Sequence, residues 1–116
     1  MPNQQRVLDN VFHALADPTR RAVLRRLSDG PASVSELAAP FDMALPSFMQ
    51  HLRVLEASGL VRSHKSGRIR TCEIKPGQLA RAEDWIAQHR KLWEARFDRL
   101  EALLGELQST ERNGGN

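Results

Sequence analysis

The sequence predicts a mainly α-helical fold that carries one small β-hairpin. Apolar residues recur at helical spacing through most of the chain. One basic stretch, VRSHKSGRIRTCEI, breaks that spacing around a glycine, and the segment from Leu79 to Leu107 then sustains a single long helical pattern. With 116 residues, the chain holds one domain with a modest core rather than two.

The elements follow in order. Val7/Leu8, Val11/Phe12 and Leu15 place a first helix over residues 5–15. Asp17-Pro18 reads as an N-cap followed by proline in the first helical position. The second helix, TRRAVLRRL, buries Val23, Leu24 and Leu27, turns Arg20, Arg21, Arg25 and Arg26 to solvent, and stops at Gly30-Pro31. Ser33 and Glu36 have capping-box spacing ahead of a short third helix, SELAA, which ends near Pro40-Phe41. After a turn at Asp42-Met43-Ala44, LPSFMQHLRVLEASGL forms a fourth helix closed by Gly59. Its core face is Phe48, Leu52 and Leu55.

Two β-prone runs flank Lys65-Ser66-Gly67-Arg68, where the glycine supplies a positive φ and closes the hairpin. The fifth helix, from Leu79 to Leu107, is roughly 40 Å long, more than the small core of this domain covers. Residues 1–108 are therefore expected to fold as the domain, and STERNGGN, residues 109–116, to be a disordered tail. Helices three and four with the basic hairpin behind them make a winged helix-turn-helix.

Charge places the working surface. Residues 1–75 hold eleven Lys/Arg against seven Asp/Glu, and residues 76–116 hold six against seven, so a polyanion-binding face belongs to the first part. No apolar run reaches the ~18 residues of a membrane span, and the start of the chain lacks an export signal, so a cytoplasmic location is expected. The single cysteine, Cys72, rules out an internal disulfide and agrees with that location.

A helix reads the major groove when its first turns project past the domain surface. Leu45, Ser47, Met49 and Gln50 lie at the front of helix four, off its core stripe. Gln50 has the chemistry to pair with adenine, Ser47 to bond base or phosphate, and Leu45 or Met49 to pack on thymine methyls. Arg53, a turn further on, suits a phosphate. In the wing, Arg62, Lys65, Arg68 and Arg70, with His64 among them, lie within nine residues free of acidic side chains. Such a tip can follow a phosphate backbone or enter a minor groove. Either feature alone reads as an ordinary core helix or a solvated basic hairpin; their order in one chain favours double-stranded DNA.

These residues also carry a resemblance. ALADPTRRAVLRRL, HLRVLEASGLV and KSGRIRTCEI, within residues 12–76, resemble the ArsR/SmtB family of winged-helix regulators, and the likeness extends over about residues 6–107. The resemblance implies a homodimeric transcriptional repressor that binds a palindromic operator, with the first and last helices forming the dimer interface. Here that interface would draw on Val7, Val11, Trp85, Leu92, Trp93, Leu100, Leu103 and Leu104.

The metal-sensing members have a Cys-x-Cys pattern near helix three, where this chain reads SVSELAAPFDM. On the last helix, His89 is followed at +3 by Leu92 rather than by a ligand, so no metal and no cofactor is expected. The likeness is to the branch without metal motifs, and an effector ligand or protein, if there is one, is not written in the residues. Ala44 also departs from the family, standing where many relatives have a serine N-cap; Asp42 is the alternative cap.

Two rivals stay open at this stage. One is a metal-responsive repressor with an atypical site, such as His89 and Glu94 across a dimer. The other is a winged helix that docks an acidic protein. An enzyme is not expected, because Glu83 and Asp84 are adjacent on a helix and diverge, and Ser47 has no oriented base.

Overall fold

A computed structural model of the chain describes the backbone of residues 4–114 and the side chains of residues 5–110. Five helices and three strands run in the order α1 (Gln4–Leu15), α2 (Pro18–Leu27), β1 (Ala32–Ser33), α3 (Val34–Ala38), α4 (Leu45–Ala57), β2 (Val61–Ser66), β3 (Ile69–Ile74) and α5 (Pro76–Gly114). Two compact units result, Met1–Ala82 and Glu83–Asn116. The boundary falls within α5, so the first turns of that helix belong to the first unit.

Local chemistry accounts for the helix ends in the first unit. The Asp17 carboxylate accepts from the Arg20 backbone N–H at 3.0 Å, and Pro18 opens α2 with its φ already set. The Ser33 hydroxyl accepts from the Glu36 N–H at 3.2 Å. Glu36's own carboxylate lies 3.4 Å from Arg26 of α2. α4 ends in a Schellman motif: Leu60 N–H donates to Leu55 O at 3.1 Å, and Gly59 N–H donates to Glu56 O at 3.0 Å. That geometry needs the positive φ of Gly59, +80°. The Leu55–Leu60 pair that brackets the motif is fully buried.

The core of the first unit is continuous. Val11 and Ala14 of α1, Val23, Leu24 and Leu27 of α2, Leu37 of α3, and Phe48, Leu52 and Leu55 of α4 pack with Val61 of β2 and Cys72 of β3. The stripe expected on α4 is the stripe observed. Phe41, on the turn before α4, stacks on Phe48 with ring centroids 5.7 Å apart, which fixes the approach of that helix.

The structure differs from the sequence expectations in four respects. β1, only two residues long, pairs with β3 and converts the hairpin into a three-stranded antiparallel sheet of order β1-β3-β2. Two residues are too few to show alternation. α5 starts at Pro76 rather than Leu79 and continues through residues 109–114, where the sequence predicts a disordered tail; residues 115 and 116 lie outside the described residues. In that last stretch the Thr110 hydroxyl bonds to Glu106 O at 2.9 Å, the i−4 bond that a helical threonine makes.

Arg20 is not a solvated residue. Its guanidinium is buried and donates to the Ala14 and His13 carbonyls at 2.8 and 3.0 Å. Together with Arg21, which donates to Leu15 O at 2.8 Å, it satisfies the open carbonyls at the end of α1. Val11, finally, is expected at a subunit interface, yet it is fully buried within its own domain and has no surface to offer a second chain.

Candidate nucleic-acid interface

α4 presents two faces. Phe48, Leu52 and Leu55 are at most 1% exposed, whereas Leu45, Ser47, Gln50 and Arg53 are exposed. At about 100° per residue, Gln50 lies roughly opposite the core stripe, with Met49 and Arg53 filling the arc between. Met49 is half-buried and packs against the core, so its outward contribution is smaller than its place in the sequence suggests.

The helix begins without a side-chain cap. Ala44 occupies the N-cap in an extended conformation, and no side chain accepts from the first turn. Asp42 therefore does not serve as the alternative. The Ser47 and Phe48 N–H groups both turn to the Ala44 carbonyl, at 3.0 and 3.1 Å. Leu45 projects beyond this end and is 57% exposed.

The wing is a two-residue hairpin. Gly67 has φ +63°, and no non-glycine residue among those described has a positive φ, which are the φ signs of a type II′ turn at Gly67-Arg68. The turn fixes the register Lys65↔Arg70, His64↔Thr71, Ser63↔Cys72 and Arg62↔Glu73. His64, Lys65, Arg68 and Arg70 are all exposed. Lys65 and Arg70 stand directly opposite one another, a like-charge juxtaposition that costs stability unless an anion approaches.

Two of the wing arginines already have partners. Arg62 is ion-paired with Glu73 across the strands, so its charge is partly neutralised. Arg70 donates to the Ser63 hydroxyl at 3.0 Å, and Ser63 in turn donates to the Glu56 carboxylate of α4. That chain ties the wing to the reading helix. Sequence reasoning missed both pairings, although the two-residue turn at Gly67-Arg68 dictates the Arg62↔Glu73 register.

A cleft of about 460 Å³ lies where these parts meet, lined by Ser35 of α3, Met49 of α4, and Arg68, Ile69 and Arg70 of the wing. Ser35 and Ile69, the latter 60% exposed, were not singled out in the sequence. An isolated serine in a short helix and one apolar residue at a strand start carry no signal by spacing.

His51 Nδ1 lies 3.1 Å from Arg20 Nη1 and 3.6 Å from Asp17 Oδ2. Burial pushes the Asp17 carboxyl up, but the Arg20 N–H and the nearby charges of His51 and Arg20 outweigh it and hold it below its ordinary 3.8. Burial and the Glu56 carboxylate push the Cys72 thiol up, with Arg70 opposing in part. Cys72 is thus a core residue that resists forming the reactive thiolate. Among the described residues, no group of three or more His, Cys, Asp or Glu side chains is placed to hold a metal ion. No described helix is long and apolar enough to cross a membrane.

The second unit is the rest of α5. His89 stacks on Trp85 at 3.8 Å between ring centroids, with its Nδ1 2.8 Å from the Trp85 carbonyl, and meets Trp93 edge-on at 6.4 Å. Leu92, Trp93, Phe97, Leu100, Leu103, Leu104 and Leu107 are each about half exposed or more. Of the residues expected at a subunit interface, these leucines and Trp93 lie open, Val7 and Trp85 are half-buried, and Val11 is excluded.

A helix-turn-helix whose reading helix stands free beside a cationic wing defines a winged helix-turn-helix DNA-binding protein. Residues 15–64 match the family described as Helix-turn-helix domain. The chain is 58% identical to a structurally characterised ArsR family transcriptional regulator, RHA00566, with a TM-score of 0.76, covering 81% of this chain and 97% of that one. It is 29% identical over 79 residues to the transcriptional repressor SdpR of Bacillus subtilis, covering 68% of this chain and 88% of SdpR. It is also similar to Mb0332 of Mycobacterium bovis, a homodimeric winged helix-turn-helix DNA-binding domain and possible ArsR-family regulator. That match has 25% identity and a TM-score of 0.57, over 84% of this chain and 85% of that one. The chain belongs to the ArsR family of winged helix-turn-helix transcriptional regulators.

Proposed function

We propose that this regulator is a homodimeric repressor that binds a palindromic operator in double-stranded DNA without a metal. The observation that carries the reading is the free front of α4, with Leu45, Ser47, Gln50 and Arg53 exposed beside the wing cations. Gln50 and Ser47 suit base edges, Leu45 and part of Met49 suit thymine methyls, and Arg53 suits a phosphate. His64, Lys65, Arg68 and Arg70 follow the backbone, with Arg62 held back by Glu73.

The exposed apolar face of α5 supports the dimer, through Leu92, Trp93, Leu100, Leu103 and Leu104, with half-buried Trp85 on the same helix; Val7 of α1 is proposed for the same interface. The homodimeric state of Mb0332 points the same way. Two-fold symmetry then sets the reading helices about 34 Å apart, one helical turn, and makes the operator palindromic. Repression follows the character of SdpR: a dimer seated on promoter DNA excludes polymerase and needs no catalytic step.

Fluorescence anisotropy on a duplex from the gene's own upstream region, in EDTA and across a salt series, tests the reading. A scrambled duplex runs beside it. Selective binding in EDTA that weakens steeply with salt is expected. Equal affinity for both duplexes would remove the sequence-specific reading, and binding only after Zn²⁺ is added would remove the metal-independent one.

A further inference from the structure

The network at the α1–α2 junction reaches into the reading helix. Arg20 spends two of its donors on the carbonyls of Ala14 and His13. A third, Nη1, points to His51 Nδ1 at 3.1 Å. Because a guanidinium only donates, Nδ1 must accept, and the neutral imidazole then carries its proton on Nε2. Asp17, which caps α2 through the Arg20 N–H, stands behind the same nitrogen at 3.6 Å.

His51 follows Gln50 directly and lies one turn beyond Ser47, on the segment that carries the proposed base-reading side chains. The core residues Phe48, Leu52 and Leu55 anchor α4 by apolar packing, a force without direction of its own. A partly buried, directional bond between a fixed guanidinium and one ring nitrogen adds a constraint on orientation.

We propose that Arg20 and His51 are positioning residues for base recognition: the Arg20–His51 hydrogen bond fixes the rotation of α4 about its axis and so aims Gln50 and Ser47 at the base edges. The inference rests on the DNA-binding reading above. It assigns His51 no contact with DNA, and therefore no share in the salt dependence. Losing the bond leaves phosphate contacts intact and blurs base discrimination.

The test compares His51→Leu, which removes the acceptor, with His51→Asn, whose amide oxygen can sit where Nδ1 does. Anisotropy is read on operator and scrambled duplexes across salt, alongside imidazole ¹⁵N shifts of the intact chain. The wild type should show an unprotonated Nδ1 and a protonated Nε2. His51→Leu should lose about tenfold in the operator-to-scrambled ratio, the weight of one well-aimed base contact, with an unchanged salt slope. His51→Asn should recover most of that ratio.

A protonated Nδ1 in the neutral wild-type ring overturns the proposal, and so does an undiminished ratio in the leucine variant. A changed salt slope also overturns it, since that marks a direct phosphate contact. Should the leucine variant not fold, the nitrogen shifts and the asparagine variant decide: a ratio in His51→Asn as poor as nonspecific binding counts against the bond. A wild type that does not discriminate at all sinks the DNA-binding reading itself. The ring tautomer then still reports whether the bond exists.

Discussion

α4 and the part of α5 beyond Ala82 are both helices with an apolar stripe, yet they treat it in opposite ways. In α4 the stripe is spent inside the domain, with Phe48, Leu52 and Leu55 at most 1% exposed. In α5 the stripe from Leu92 to Leu107 stands open. The contrast separates two kinds of leftover surface. What α4 leaves outside is short, mixed and set beside cations, which suits the polar, charged surface of a DNA groove. What α5 leaves outside is long, aliphatic and aromatic, which suits another apolar surface. A monomer rarely keeps so continuous an apolar face in water.

The sharpest way to break this comparison is to charge the α5 stripe. Leu103→Glu places a carboxylate in the middle of the face proposed to pair with a second subunit, and a buried unpaired charge there is costly. Sedimentation should show the mass fall from dimer to monomer. Operator affinity should then drop about 10²- to 10⁴-fold, since the second half-site is no longer held at high effective concentration. A variant that keeps its dimer mass would show that the open stripe serves something other than self-association.

The two faces of α4 can be separated next. Phe48→Ala empties a fully buried site that also stacks on Phe41, and should cost about 3–5 kcal/mol of folding stability by urea titration. Gln50→Ala, on the opposite face, should leave the urea midpoint within about 0.5 kcal/mol. Its effect should appear instead as about 1–3 kcal/mol lost from discrimination at one base pair of the operator. If both substitutions lowered stability alike, the division of the helix into a core face and a reading face would not hold.

Much of this division was legible in the residues. The i, i+4, i+7 spacing of Phe48, Leu52 and Leu55 defines the core face of α4, and Gly59 marks its end, because only a helix closing at that point needs a positive φ there. The hairpin was legible from Gly67. What escaped was mostly tertiary pairing. Arg20 reads as one of four solvated arginines, since nothing local tells which of them will fold back over the end of α1. Val11 is expected at the subunit interface on the strength of the resemblance, and a helical stripe does not say what covers it; here the domain itself does. Ser63 links Arg70 to Glu56 across seven residues in each direction, a chain that exists only once sheet and helix are packed.

The wing permits a finer comparison, between arginines with and without a partner. Arg68 sits at the turn, and Arg68→Ala should reduce the slope of log affinity against log salt by about 0.9, one phosphate's share. Arg62 shares its charge with Glu73, so Arg62→Ala should change that slope by clearly less. Glu73→Gln frees Arg62, and is therefore expected to steepen the slope and strengthen binding at low salt. The same anisotropy series reads all three. Equal slopes for the Arg62 and Arg68 variants would mean that the cross-strand pair opens when DNA arrives.

The smallest expected effect lies at Asp17, and it concerns pH. Its carboxylate is held below the ordinary 3.8, the hydrogen bond and the nearby positive charges outweighing burial. A depressed acid stabilises the fold fully above its unfolded value and loses that contribution as pH falls through the lower folded one. Asn at an N-cap accepts the same backbone bond nearly as well, so Asp17→Asn should leave the urea midpoint at pH 7 almost unchanged. Between pH 5 and pH 3, wild type should lose stability more steeply than the variant, because only the wild type has a carboxylate there to protonate. Parallel decline of the two proteins would place the acid sensitivity of the first unit in other carboxylates.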